Sequence, residues 1–307
     1  ATGTTYYSRV KARNENLADT YFVTLGSTQT RLGVPVALSP AITSVGTVSV
    51  AGAWSDPSNP TGTTYESWIS SNGYVNYFSS ATALTNATLT GLSTNTAYGL
   101  RVRALFAGLI SDWTTLTAST YTLSAVPSSG DPTAVEISSI TANWLSNTNP
   151  VGTTYQVQAS TTGFAAIAEV LDSSTTQLTA GTMINLSTNT LHQMRVRARN
   201  GNDLYGTWMT LPSTYTLAAP PGVPAVAFSN VYLTSFTVSW TQNNNPSYTS
   251  FYVELSTMDT FSPTTATWTW RLFVSTGADF AGLATGTTYY SRVRARNENL
   301  AETYFVT

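Results

Sequence analysis

The four residues Arg-Val-(Arg/Lys)-Ala occur four times in the chain, starting at Arg9, Arg101, Arg195 and Arg292, with spacings of 92, 94 and 97 residues. A tryptophan followed shortly by Asn-Pro occurs three times: Trp54 with Asn59-Pro60, Trp144 with Asn149-Pro150 and Trp240 with Asn245-Pro246, spaced 90 and 96 apart. Two independent landmarks with one period mean one supersecondary unit of about 90 residues, repeated along the chain. The 307 residues then hold three units, preceded by the tail of a fourth. Gly33-Val34-Pro35, Val126-Pro127 and Ala219-Pro220-Pro221-Gly222 read as short linkers, stiffened by proline. The expected division is 1–30, the last two strands of a preceding unit, then 31–124, 125–218 and 219–307, the last with its final strand cut short.

Within each unit the pattern is that of strands. Phe236, Val238 and Trp240 alternate with Thr237 and Ser239; Tyr155, Val157 and Ala159 alternate with Gln156, Gln158 and Ser160; Val102 and Ala104 alternate with Arg101 and Arg103. A period of two, rich in Thr, Val and Tyr, predicts half-buried strands, and no stretch carries a helical period. Short strands, polar turns and a 90-residue period predict an all-β chain of antiparallel sandwiches. Gly-Thr-Thr-Tyr follows the first two Asn-Pro pairs, at Gly62 to Tyr65 and Gly152 to Tyr155; the third unit has Thr249-Ser250-Phe251 there. Before the arginine motif runs Leu-x-Thr-x-Thr-x-Tyr, ending at Tyr98 and Tyr289, with His192 at the same place in the second unit.

Tryptophan on the second strand, this threonine-tyrosine run, and then Arg-Val-x-Ala together resemble the fibronectin type III domain, in register over almost the whole chain. The resemblance implies tandem immunoglobulin-like, two-sheet Greek-key sandwiches of seven strands, in an extended array. It implies that Trp54, Trp144 and Trp240 are core pegs. It also implies that Tyr6, Tyr98 and Tyr289 form the corner that bonds back to the backbone, with His192 departing from it.

The stretches 1–24 and 284–307 agree at 22 of 24 positions, differing only at Lys11 versus Arg294 and Asp19 versus Glu302. The corresponding stretches at Arg101 and Arg195 have diverged far more, so the near-identical copies lie three units apart. Duplication of a three-domain block within a longer array accounts for this. Donation of residues 1–30 to a sandwich in another subunit is the competing expectation.

Chemistry is sparse. There is no cysteine, hence no disulfide and no thiolate metal site, and one histidine, His192, stands at a structural corner. No nucleophile elbow, HExxH, EF-hand loop or phosphate-cradling glycine run is present. No enzyme activity and no cofactor are expected. Asp56, Asp112, Asp131 and Asp203 fall near turns, where side-chain turn bonding explains them; a calcium site at a domain junction is the functional alternative. Charged residues make up only 9% of the chain and the net charge is -2, which gives no basic field for nucleic acid. No run of 18 apolar residues suggests membrane insertion.

Eleven of the 13 cations lie in or directly beside the arginine motifs: Arg9, Lys11, Arg13, Arg101, Arg103, Arg195, Arg197, Arg199, Arg292, Arg294 and Arg296. Alternation puts them on the outer face of the sixth strand, opposite Glu66 and Trp68, Gln156 and Gln158, or Tyr252 and Glu254. A stacked ladder that stiffens each sheet is one reading; a basic stripe docking neighbouring chains or acidic glycans is the other. Asn86-Ala-Thr88 and Asn185-Leu-Ser187 fit the N-glycosylation sequon. Trp113, Trp208, Trp268 and Trp270 lie off the core position, as candidates for sugar stacking or, for Trp113 and Trp208, junction packing. The expected role is a structural or adhesive segment of a long extracellular or cell-surface repeat protein, a rod, filament or stalk whose partners are itself, neighbouring domains of the same chain, or glycans. The alternative is a carbohydrate- or protein-binding spacer of a secreted multidomain enzyme or adhesin.

Overall fold

The computed structural model describes residues 1–165, 170, 172–262, 266–267, 271–272 and 276–307. The described residues form 24 strands and no helix. The chain divides into two compact units: Ala1–Ala125 with the loops Asn147–Thr153 and Ala198–Gly206, and Val126–Ser146 with Thr154–Arg197 and Thr207–Thr307.

The first unit opens with a hairpin, β1 (Thr5–Val10) antiparallel to β2 (Val23–Gln29). A sandwich follows, built from β3 (Val36–Val45), β4 (Ser49–Ser55), β5 (Thr64–Ser70), β6 (Phe78–Thr82), β7 (Asn86–Thr90), β8 (Ala97–Phe106), β9 (Leu109–Ile110) and β10 (Thr114–Tyr121). One sheet has the order β3-β4-β7 and the other β10-β8-β5-β6, with β9 paired to β8. Alternation decides the faces. Tyr98, Leu100, Val102 and Ala104 of β8 point inward, with Val50, Trp54, Tyr65, Ile69, Leu89 and Leu116 around them, and Arg101 and Arg103 stay on the outside.

The second unit repeats the scheme. Its first sandwich has β11 (Ser128–Ser129), β12 (Ile140–Leu145), β13 (Thr154–Ser160), β14 (Asp172–Thr176), β15 (Ala180–Met183), β16 (Leu191–Arg199) and β17 (Met209–Tyr215), in sheets β11-β12-β15 and β14-β13-β16-β17. The next has β18 (Phe228–Ser229), β19 (Ser235–Ser239), β20 (Ser250–Ser256), β21 (Ala266–Thr267), β22 (Arg271–Leu272), β23 (Gly277–Ala281) and β24 (Tyr290–Arg296). One of its sheets is β18-β19-β23; in the other β20 carries β21 and β22 along one edge and β24 along the other. Val293 then bridges to Val306, where the closing edge begins.

The three tryptophan sites superimpose in their internal geometry. Trp54, Trp144 and Trp240 are each 2% exposed. Their ring centroids lie 5.7 Å from Tyr65 at 58°, 5.6 Å from Tyr155 at 57° and 5.7 Å from Phe251 at 56°. Such tilted pairs set the positive edge of one ring against the face of the other. The turn that delivers the second ring explains Gly-Thr-Thr-Tyr. The Thr63 and Thr153 amides donate to the Pro60 and Pro150 carbonyls at 3.1 Å, and the intervening Gly62 and Gly152 take φ of 92° and 88°. Positive φ at the third position of a tight turn is what glycine supplies.

Candidate functional site

The outer face of the larger sheet in each sandwich carries the cations, and strand register decides what each one meets. Trp68 pairs with Arg101 and Glu66 with Arg103, while Glu254 pairs with Arg292 and Tyr252 with Arg294. In the first sandwich Arg103 forms an ion pair with Glu66 at 2.6 Å. Arg101 has no carboxylate opposite; its guanidinium lies 3.8 Å from the Tyr74 ring, 4.3 Å from Trp113 and 4.8 Å from Trp68, which stacks on Tyr77 at 3.7 Å. In the second sandwich Arg195 and Arg197 each give two hydrogen bonds, to Gln158 Oε1 and Gln156 Oε1. Burial, then the neighbouring charge of Arg197, lowers the pKa of Arg195 from its ordinary value. In the third, Arg292 pairs with Glu254 and Arg294 with Glu302.

One ring in each copy spans two cations. Trp113 lies over Arg101 and Arg103, Trp208 over Arg195 and Arg197, Phe305 over Arg292 and Arg294, and Phe22 over Arg9 and Lys11. This corrects the junction-packing expectation for Trp113 and Trp208: each gives a face to the ladder of its own sheet. Trp268 and Trp270 lie outside the described residues. Half-buried ion pairs and cation–π contacts of this kind contribute about 0.2–1 kcal/mol each. Glu66→Gln is therefore expected to cost the first sandwich about 0.5–1 kcal/mol, a loss that shrinks in high salt, as read by urea unfolding at two ionic strengths. A loss unchanged by salt would contradict the ion-pair account.

The corner residues are placed as follows. The Ser93 amide donates to the Tyr98 hydroxyl and the Ala284 amide to that of Tyr289, both at 3.0 Å. Tyr6 accepts from the Ala1 amino group at 3.1 Å. His192, fully buried, reaches Ser187 in another way: its Nε2 sits 3.3 Å from the Ser187 carbonyl oxygen, so the ring donates where tyrosine accepts. Burial holds the His192 pKa below the ordinary 6.5, against the Ser187 contact. Protonation then favours the unfolded chain. The stability that neutral His192 gives is present above the ordinary histidine range and lost as pH falls through it toward the lowered value. The second sandwich is expected to lose thermal stability between pH 7 and pH 5, and His192→Gln to flatten that slope, in calorimetric scans across the range. An equally steep slope in the variant would contradict the assignment.

The asparagine of each Asn-Pro landmark grips the linker. Asn59 Oδ1 accepts from the Gly33 amide and its Nδ2 donates to the Gly33 carbonyl, at 2.8 and 3.1 Å. Asn149 does the same to Ala125, at 2.8 Å both ways, and Asn245 to Ala219, at 2.9 and 2.7 Å. A carboxamide presents one acceptor and two donors in a plane and so pairs with a backbone residue as a neighbouring strand would. In the sequence these asparagines stand out only as landmarks, at a fixed offset of five from each tryptophan, and that offset is the signal of the shared contact.

Residues 219–304 match the family model described as the fibronectin type III domain. The third sandwich is thus similar to the fibronectin type III domain. The two preceding sandwiches likewise pair a three-stranded sheet with a larger one, five-stranded in the first and four-stranded in the second, and have the same tryptophan geometry. No curated protein matches the chain. Among solved structures, the chicken CNTN1 FN1–FN3 domains share 15% identity, covering 89% of this chain and 98% of that one, with a TM-score of 0.27. A two-domain fibronectin type III segment from chicken tenascin shares 16% identity over 60% of this chain and 100% of that one, with a TM-score of 0.43.

The sequon asparagines of this tandem repeat, Asn86 on β7 and Asn185 in the loop after β15, are both exposed. Asp203 pairs with Arg199 at 3.3 Å, and Asp56 Oδ1 accepts from the Asn59 amide at 2.9 Å. Among the described residues, no three His, Asp or Glu side chains gather closely enough to hold a metal ion. Among the described residues, no helix is long and apolar enough to cross a membrane.

Proposed function

We propose that this fibronectin type III-like array is a structural and adhesive segment of a long extracellular repeat protein, a non-enzymatic spacer at a cell surface that meets neighbouring domains, copies of itself or glycans. One observation carries the reading: the same bidentate asparagine grips the linker at Gly33, Ala125 and Ala219, so each joint is pinned by its own backbone. A segment that holds spacing needs joints of this kind. The test is antibody labelling of the cells that make the protein. Intact cells are expected to label as strongly as permeabilised ones; labelling only after permeabilisation would overturn the reading.

The carbohydrate-binding alternative finds its support in the second sandwich, where Arg195 faces the neutral side chain of Gln158 across the sheet, in the place that Glu254 takes opposite Arg292 in the third. Binding of an acidic polysaccharide that weakens with salt and is lost in Arg195→Gln would favour it.

A further inference from the structure

Just before β8 and β16 stand Asn95 and Asn189, with φ of 44° and 42°. Their side chains are engaged by the following sandwich. Asn95 Oδ1 accepts from the Gly201 amide and its Nδ2 donates to Thr153 Oγ1, both at 2.9 Å. Asn189 Oδ1 accepts from the Glu298 amide at 3.1 Å and its Nδ2 donates to Thr249 Oγ1 at 2.9 Å. The grip is returned from an Asn-x-Asn loop. Asn200 Nδ2 donates to the Thr122 carbonyl and Asn202 Nδ2 to Thr120 Oγ1. Asn297 Nδ2 donates to the Thr216 carbonyl and Asn299 Nδ2 to Thr214 Oγ1. Asn189, Asn200 and Asn297 are at most 3% exposed.

The joint ahead of the first sandwich is built otherwise. Gly3, φ 59°, stands where Asn95 and Asn189 stand, and a Cβ there would come within 2.9 Å of Pro60 and 3.0 Å of Leu32. The neighbouring threonine contact is kept: Thr2 Oγ1 donates to the Ser58 carbonyl, as Thr94 does to Thr148 and Thr188 to Asn244. The Asn-x-Asn loop, however, is gone; between β8 and β9 stands only Ala107-Gly108. Donor and acceptor are lost together. Gly286, φ 64°, repeats the glycine in the third sandwich.

We infer that this residue and the loop of the following sandwich form a matched pair that fixes which sandwich succeeds which. Asparagine accepts a sandwich bearing the Asn-x-Asn loop; glycine accepts one bearing the short apolar turn. The face around Thr285 and Gly286 is thus fitted to a sandwich of the 31–124 kind, the kind on which its near-identical copy around Thr2 and Gly3 is seated. Mismatch is penalised in both directions. Glycine opposite the Asn-x-Asn loop takes the partner from the Gly201 or Glu298 amide and from the Thr153 or Thr249 hydroxyl, and asparagine in the glycine site strikes Pro60 with its carboxamide unanswered.

The test uses the full chain, with amide hydrogen exchange at Ala219, whose N–H is held by Asn245 beside this joint. Asn189→Gly, and separately replacement of loop 297–301 by the turn found at 106–109, are each expected to speed Ala219 exchange about tenfold. The two changes together are expected to restore it to within about threefold of the parent, because the pair is again matched. Core amides of Val253 and Val293 serve to exclude unfolding of the third sandwich. If loop replacement unfolds that sandwich, Asn189→Gly and Asn297→Ala decide alone, through the same acceleration at Ala219 with the core amides unmoved. Unchanged exchange in the single variants, or a double variant as fast as the product of the singles, would overturn the inference.

Discussion

Trp144→Ala is expected to destabilise the second sandwich by about 3–5 kcal/mol and to lower its melting temperature by roughly 15 °C or more. The indole is 2% exposed and tilted against Tyr155. It fills the space opposite Gly181, where even a Cβ would lie 3.4 Å from the ring and 2.7 Å from Val157. Deleting the ring removes its transfer free energy and leaves a cavity between two rigid sheets that close only partly over it. Domains of this size are stable by about 5–15 kcal/mol, so one such loss consumes much of the margin. Trp54→Ala and Trp240→Ala should cost comparable amounts, given the matching geometry of their ring pairs. Urea unfolding of each variant, followed by far-ultraviolet circular dichroism, checks this. A loss below about 1 kcal/mol at any of the three would show that the indoles are not equivalent pegs.

Asn245→Ala is expected to cost about 2–4 kcal/mol, far more than a loop substitution usually does. Asn245 is 4% exposed and holds the Ala219 amide, the Ala219 carbonyl and the Gln242 carbonyl at 2.9, 2.7 and 2.8 Å. Alanine leaves these backbone groups without their partner in a site water does not reach, and each such orphan costs about 1–3 kcal/mol. Asn245→Asp is expected to do no better: its carboxylate loses both donated bonds and faces two carbonyl oxygens. Asn243, whose Nδ2 donates to the Pro220 carbonyl in an exposed setting, is the control, and Asn243→Ala should cost below about 1 kcal/mol. Equal losses at Asn243 and Asn245 would remove the clamp from the account.

How far the sequence spoke follows from what kind of interaction each residue makes. Strand alternation is a property of the backbone pleat, so the inward Val102 and Ala104 and the outward Arg101 and Arg103 could be read without coordinates. The repeated tryptophan was legible because burial of a large ring constrains one position in every copy. The role of Trp113 and Trp208 was not legible. Their contacts depend on how the loop after the sixth strand folds back over the sheet, and sequence distance alone does not show that. His192 shows a similar limit: a substitution that looks like loss of the corner keeps the contact with its polarity reversed, because imidazole donates to a carbonyl as readily as phenol accepts from an amide. The linker asparagines were visible as letters and invisible as clamps, since a bidentate side-chain-to-backbone pair leaves no periodic trace.

Force extension of the single full-length chain tests the central claim, that successive sandwiches each carry their own core around one tryptophan. The account predicts separate unfolding events with nearly equal contour-length gains, each releasing about 90 residues, or roughly 300 Å at about 3.6 Å per residue. One event releasing the whole chain, or smooth extension with no events, would contradict it.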